Sequence, residues 1–164
     1  MTMDAPRQSW WRRRVVAPIL AQLRQGITPQ LIALTIAAGL VLGIFPILGT
    51  STLLCAVFAL ALRLNQPIIQ LVNYLAYPLQ ILLLFPFYRA GEHLFGQPPV
   101  PLLSVVELSQ RFWMDPTQFL VDYGLGALYG VVVWILLAPL LVGLLYLVLK
   151  LPLQAMARRL SSRA

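Results

Sequence analysis

Long apolar runs without charge, separated by short clusters of proline, glycine and polar residues, dominate the hydrophobic pattern of this chain. Four runs predict helices at about 29–45, 51–63, 67–90 and 116–150. The charged residues lie between or outside these runs, which favours membrane spans over the core of a water-soluble protein. The pattern therefore predicts an all-α, polytopic membrane protein with a membrane domain at 28–150.

The first two helices are short and are interrupted at Pro46 and Gly49. At 1.5 Å per residue they are about 26 and 20 Å long, whereas the hydrocarbon core of a bilayer is about 30 Å thick. Broken backbone at membrane depth is tolerated only where it is buried in protein or lines a wet cavity. The pair is therefore predicted to form a broken-helix hairpin, either re-entrant or made of two short spans, and we expect full spans at 67–90 and 116–150.

One face of the 67–90 helix, which begins after Asn65, carries a polar stripe, and Pro78 is expected to break or kink this helix. The stripe occupies an arc of about 80° at 100° per residue. Two interpretations stay open: hydrogen bonding between helices, or one wall of a polar cavity facing the hairpin break, as in discontinuous-helix transporters. The stripe and the hydroxyl residues that could cap the second hairpin helix and present N–H groups to an anion together form the candidate polar cavity: Thr50, Ser51, Thr52, Asn65, Gln70, Asn73, Tyr77 and Gln80.

A second polar cluster, Arg89, Glu92 and His93, ends the same helix. It either marks the water boundary or forms a site for protons or for an anionic headgroup. The segment 91–115 that follows is the most polar internal stretch, and it is predicted to contain a short amphipathic helix near 105–113.

Two small-residue pairs predict close helix packing, namely Gly39 with Gly43 and Gly126 with Gly130. Because one copy has too few helices to enclose a path, these pairs also suggest a homo-oligomer or a complex with another membrane protein.

Basic residues flank the membrane domain. The basic amphipathic lead-in 1–27 and the tail 151–164 suit a cytoplasmic interface, with the lead-in acting as an anchor or as a partner-binding segment. The segment 89–122 contains two basic and four acidic residues, a net charge of −2. The positive-inside rule therefore places both termini in the cytoplasm. It also accounts for the net charge of +7 better than nucleic-acid binding does, since no nucleic-acid motif is present.

Little catalytic chemistry is available in a chain with 10% charged residues, one cysteine and one histidine. We find no nucleophile–base arrangement, no acidic pair inside a span and no metal-ligand or ATP-binding motif, so we expect no enzyme activity, no metal and no cofactor. Two functions remain: a transporter- or flippase-like protein for an unknown solute or lipid, or a structural or assembly factor that binds another membrane protein.

An ordered set of short motifs runs from Gly26 to Gly96. They are Gly26-Ile-Thr28-Pro29, Gly39-x-x-x-Gly43-x-x-Pro46-x-x-Gly49, Ala61-Leu-Arg63-Leu-Asn65-Gln-Pro67, Asn73 with Pro78, and Tyr88-x-x-Gly91. This set resembles the domain of unknown function 2062, a family of small bacterial inner-membrane proteins. The resemblance implies a helical membrane fold in the bacterial inner membrane, but it implies no activity.

Overall fold

Helices form the whole regular structure of this protein in the computed structural model, which describes residues 27–99 and 105–161. The prediction of an all-α fold is confirmed, and no strand occurs in those two ranges. The helices are α1 (Pro29–Gly43), α2 (Ser51–Ala61), α3 (Gln66–Leu94), α4 (Val105–Met114) and α5 (Pro116–Ser161).

Helix ends differ from the sequence expectations chiefly in α5. This helix continues through Pro152 to Ser161, so the segment after Lys150 is not a separate tail over the described residues. The helix α3 is also continuous through Pro78 and Pro86, and the expected break at Pro78 does not occur. The lead-in 1–27 lies outside the described residues apart from Ile27.

Helix starts follow the cap-plus-proline pattern. The Thr28 hydroxyl accepts a hydrogen bond from the Leu31 amide at 3.4 Å, and the Asn65 side chain accepts one from the Ile68 amide at 3.0 Å. Both capped helices have proline in the first turn, where its missing N–H costs nothing.

The α1–α2 hairpin lies along the first half of α3. A Cβ on Gly39 would lie 3.1 Å from the Ile69 carbonyl, and one on Gly43 would lie 2.9 Å from the Ala76 Cβ. The contacts advance in the same direction on both helices, so α1 runs parallel to the start of α3. The turn after α1 reaches Gln80, the central residue of the 29-residue α3.

Helix α2 then returns toward the start of α3. Near the turn, the Thr52 carbonyl accepts a hydrogen bond from Gln70, and one α2 turn later the Ala56 carbonyl accepts one from Gln66. The hairpin therefore begins and ends beside the start of α3, with its tip at the middle of that helix.

Helix α5 packs antiparallel to α3 and closes the bundle. Its Tyr129 and Gly130 contact Gly91 near the end of α3. Farther along, the Trp134 indole donates a hydrogen bond to the Val41 carbonyl at 3.0 Å. The later Leu153 packs in a cluster with Ile32 and Ile68 near the starts of α1 and α3.

Both predicted glycine pairs are used inside this chain. Gly39 and Gly43 bring α1 against α3, while a Cβ on Gly126 or Gly130 would lie in van der Waals contact with Tyr88, and one on Gly130 also with Phe87, on α3. They are therefore not free faces for binding a second copy. Gly91 makes a still closer approach, since a Cβ there would lie 2.5 Å from the Tyr129 carbonyl carbon.

Two helices, α3 and α5, are long and apolar enough to cross a membrane, by length and composition. Only 6% of the most apolar 18-residue window of α5 is buried. Several of its leucines, among them Leu136, Leu140 and Leu144, are therefore exposed, as they would be toward lipid or a partner helix. The two helices are consistent with membrane association.

We expect Gly91→Ala to destabilise the protein by about 1–3 kcal/mol, because the added methyl group overpacks the α3–α5 crossing against backbone. The matched control is Gly124→Ala on α5, where a Cβ would meet no atom within 4 Å; it should gain up to about 1 kcal/mol from helix propensity. Thermal unfolding of both variants in detergent measures the difference. Equal stability of the two would contradict the described crossing.

Candidate functional site

The hairpin tip is held by the amide side chain of Gln80. Its Nε2 donates to the Phe45 carbonyl at 2.8 Å and lies 3.5 Å from the Ile47 carbonyl. Gln80 is 1% exposed, and Pro46 between the two acceptors is fully buried. The side chain thus satisfies carbonyls that the interrupted α1 cannot pair.

Other amides of α3 bind α2 in the same way. Gln70 Nε2 donates to the Thr52 carbonyl at 3.0 Å, and Gln66 Nε2 donates to the Ala56 carbonyl at 2.9 Å. Together with Gln80 they fix the hairpin to α3 by side chain–backbone hydrogen bonds. This pattern agrees with the interpretation of the stripe as a means of joining helices.

Asn73 is the exception in the stripe. Its Nδ2 lies 3.2 Å from Thr52 Oγ1 and 3.5 Å from Gln70 Oε1. Its Oδ1 is buried and has no hydrogen-bond partner among the described residues, although the side chain is only 3% exposed. A buried unpaired acceptor lowers the stability of the fold by about 1–3 kcal/mol. This oxygen therefore has the capacity to accept a hydrogen bond from a further group.

The start of α2 has no side-chain cap. The Thr50 hydroxyl donates back to the Ile47 carbonyl at 2.9 Å instead of capping the first turn. Ser51 is buried, and Thr52 presents its Oγ1 to Asn73. Gly49 adopts φ +83° just before this turn, a conformation that glycine allows at little cost.

Two predicted members of the polar cavity, Tyr77 and Asn65, lie outside the site. Tyr77 is 49% exposed, and Pro78 beside it is also exposed. The structure therefore brings together Gln70, Asn73 and Gln80 with the α2 start, and Tyr77 is not a wall of that site. Asn65 lies at the other end of the hairpin, where it caps α3.

The second candidate cluster is an ion pair with one outlying residue. Arg89 Nη1 lies 2.6 Å from Glu92 Oε2, and Glu92 is buried while Arg89 is partly exposed. His93 is exposed and one residue farther along α3. The buried carboxylate also lines a cavity of about 350 Å³, together with Arg111 of α4 and with Asp122 and Tyr129 of α5.

Sequence reasoning missed Gln66, Trp134 and the packing role of Gly91. Gln66 had a usable signal, since at 100° per residue it falls in the same arc as Gln70 and Gln80. The Trp134 bond to α1 had none, because it joins residues 93 positions apart in sequence.

A family model described as an uncharacterised protein conserved in bacteria, DUF2062, matches residues 12–160. No curated protein and no solved structure matches this chain.

We expect Gln80→Leu to lower the free energy of unfolding by about 1–3 kcal/mol, because it removes the donor that the Phe45 carbonyl has in Gln80 Nε2. Gln30→Leu, the same substitution at an exposed position of α1, is the control and should change stability by less than about 0.5 kcal/mol. Thermal unfolding in detergent again provides the measurement. A Gln80→Leu protein as stable as Gln30→Leu would show that the amide does not hold the tip.

Proposed function

The chain belongs to the DUF2062 family of uncharacterised bacterial proteins, and we propose that it is a multi-pass protein of the bacterial inner membrane with transporter- or flippase-like activity. The observation that carries the proposal is the unpaired Asn73 oxygen at the uncapped start of α2, beside the tip of the hairpin.

The proposed topology has α3 and α5 as full spans and both termini in the cytoplasm. At 1.5 Å per residue α3 is about 43 Å long, enough to cross a hydrocarbon core of about 30 Å. The helices α1 and α2 are about 22 Å and 17 Å long by the same measure. The acidic segment 89–122 and the basic flanks support the orientation.

In this topology the α1–α2 hairpin is re-entrant. Its tip is bonded to the central residue of α3, while both of its ends lie beside the start of α3. If α3 spans the bilayer, the tip therefore lies near the midplane. Transporters place their binding sites at this depth, where helices are discontinuous and their ends face the ligand.

The chemistry of the tip suits a polar solute or a lipid headgroup that carries hydrogen-bond donors. Asn73 Oδ1 is an acceptor without a donor. The first turn of α2 adds backbone N–H groups that no side chain caps, and such groups favour an anionic atom of the ligand. A ligand that carries both a donor and a partial negative charge would satisfy the two together.

A homo-oligomer is part of this proposal, because one copy has too few helices to surround a path. The outward apolar surface of α5 supports it, since only 6% of its most apolar window is buried within one copy.

A second candidate function is a structural or assembly factor that binds another membrane protein. The use of Gln66, Gln70 and Gln80 as hydrogen-bond donors to the hairpin favours it. Those residues would then serve only to build a rigid surface, and the α5 face would hold the partner.

Cysteine accessibility in intact cells separates the two functions. With Cys55 replaced by alanine, single cysteines at Ser51 and Asn73 should react with a membrane-impermeant, water-soluble thiol reagent, because the proposed site is open to water. Leu53→Cys, in the same turn of α2 but 69% exposed on its outer face, should stay unlabelled because it faces lipid.

Two outcomes would overturn the proposal. Unlabelled Ser51→Cys and Asn73→Cys, with a control at the exposed end of α4, Met114→Cys, labelled normally, would mean a dry interior and would favour the assembly factor. Labelling of Leu53→Cys would mean that the hairpin lies outside the bilayer and is not re-entrant.

A further inference from the structure

A polar cavity of about 350 Å³ lies at the far end of the α3–α5 crossing, away from the hairpin tip. Glu92 of α3 and Asp122 and Tyr129 of α5 line it, and Arg111 of α4 contributes a guanidinium. Ligand cavities begin at about 300 Å³, so this one suits a small polar group and not a whole lipid.

The charges around the cavity do not balance. Arg89 pairs with Glu92 at 2.6 Å, and Arg111 pairs with Glu107 at 3.0 Å. Asp122 instead accepts a hydrogen bond from the neutral Gln118 amide at 2.7 Å, and it has no ion pair among the described residues. The three acidic and two basic side chains thus have a net charge of −1, which attracts a cationic group.

An anionic group also has a partner here. The Arg111 side chain is 48% exposed despite its pair with Glu107, and a guanidinium donates to phosphate in a fixed fork geometry. A ligand that carries an ammonium and a phosphate a few bonds apart would therefore match Asp122 and Arg111 at once.

The position of the cavity favours a lipid as the source of that ligand. Gly126 and Leu125 form its α5 wall, and the exposed apolar face of α5 begins just beyond them, with Leu128 56% exposed and Ile135 56% exposed. Acyl chains could lie on that face while the headgroup occupies the cavity.

We propose that this cavity binds the aminoethyl phosphate headgroup of a zwitterionic phospholipid, with Asp122 and Glu92 facing the ammonium and Arg111 facing the phosphate. The cavity is separate from the hairpin tip, so a negative result for transport at the tip would not contradict this proposal.

Native mass spectrometry of the full chain in detergent tests the proposal, with phosphatidylethanolamine, phosphatidylcholine and phosphatidylglycerol of identical acyl chains added separately. The wild type should retain phosphatidylethanolamine about tenfold more strongly than the other two, a difference of about 1.4 kcal/mol. Phosphatidylcholine lacks ammonium N–H donors, and phosphatidylglycerol lacks the cation.

Asp122→Asn should reduce the retention of phosphatidylethanolamine to the level of phosphatidylglycerol, because it removes the carboxylate charge while it keeps an acceptor for Gln118. The matched control is Asp115→Asn, which removes the same charge from the α5 cap, where asparagine caps equally well. It should leave lipid retention unchanged.

Free O-phosphoethanolamine distinguishes the two sources of this headgroup chemistry. Displacement of the lipid by millimolar O-phosphoethanolamine, lost in Asp122→Asn, would mean that the cavity accepts the free solute as well. Retention of the lipid alone would mean that it requires a membrane lipid. Equal retention of the three lipids by the wild type, or unchanged retention by Asp122→Asn, would overturn the proposal.

Discussion

The hydrogen bond from Gln80 to the Phe45 carbonyl is the interaction on which the hairpin depends. Backbone that leaves a helix at Gly43 and turns at Pro46–Gly49 loses its intrahelical partners. Where no water can replace those partners, each unsatisfied group costs several kcal/mol. A buried amide at the centre of α3 replaces the missing donor, so the Phe45 carbonyl is paired within the protein and does not depend on water.

The hydrogen bond also depends on Gly43, because the Gln80 side chain is short and reaches the turn only if α1 packs close to α3. A Cβ on Gly43 would lie 2.9 Å from the Ala76 Cβ and 3.3 Å from Asn73 Oδ1. A larger residue there would move α1 away from α3, and Gln80 could then no longer reach the turn. Close packing and hydrogen bonding therefore depend on each other. Small residues allow the helices to approach closely, and at that distance the amide side chains can reach the backbone carbonyls.

The sequence predicted the elements of this fold better than their contacts. Uncharged runs, the caps at Thr28 and Asn65 and the break near Pro46 are local signals, and each leads to the observed helix start or turn. The outward position of Tyr77 was not predictable. The polar stripe covers an arc of about 80° on α3, and the sequence does not show which part of that arc the neighbouring helix covers. The helix α3 is continuous through Pro78, and α5 continues past Lys150 through Pro152 to Ser161, since an exposed proline on a long packed helix removes only one donor. Those errors come from tertiary packing, which no local pattern encodes.

Asn73 is the residue of the polar stripe whose hydrogen bonding is not explained by helix packing alone. A residue needed only to bind α2 would be complete once its Nδ2 reached Thr52, as Gln66 and Gln70 are when they reach their carbonyls. Asn73 adds a buried oxygen that the described residues do not satisfy, and leucine at the same position would avoid that cost. The oxygen lies beside the uncapped first turn of α2, where the proposed ligand, with a donor and a negative partial charge, would satisfy both the oxygen and the free N–H groups. Helix packing therefore accounts for the side chains of Gln66, Gln70 and Gln80, and the unpaired Asn73 oxygen is the feature that supports the proposed ligand site.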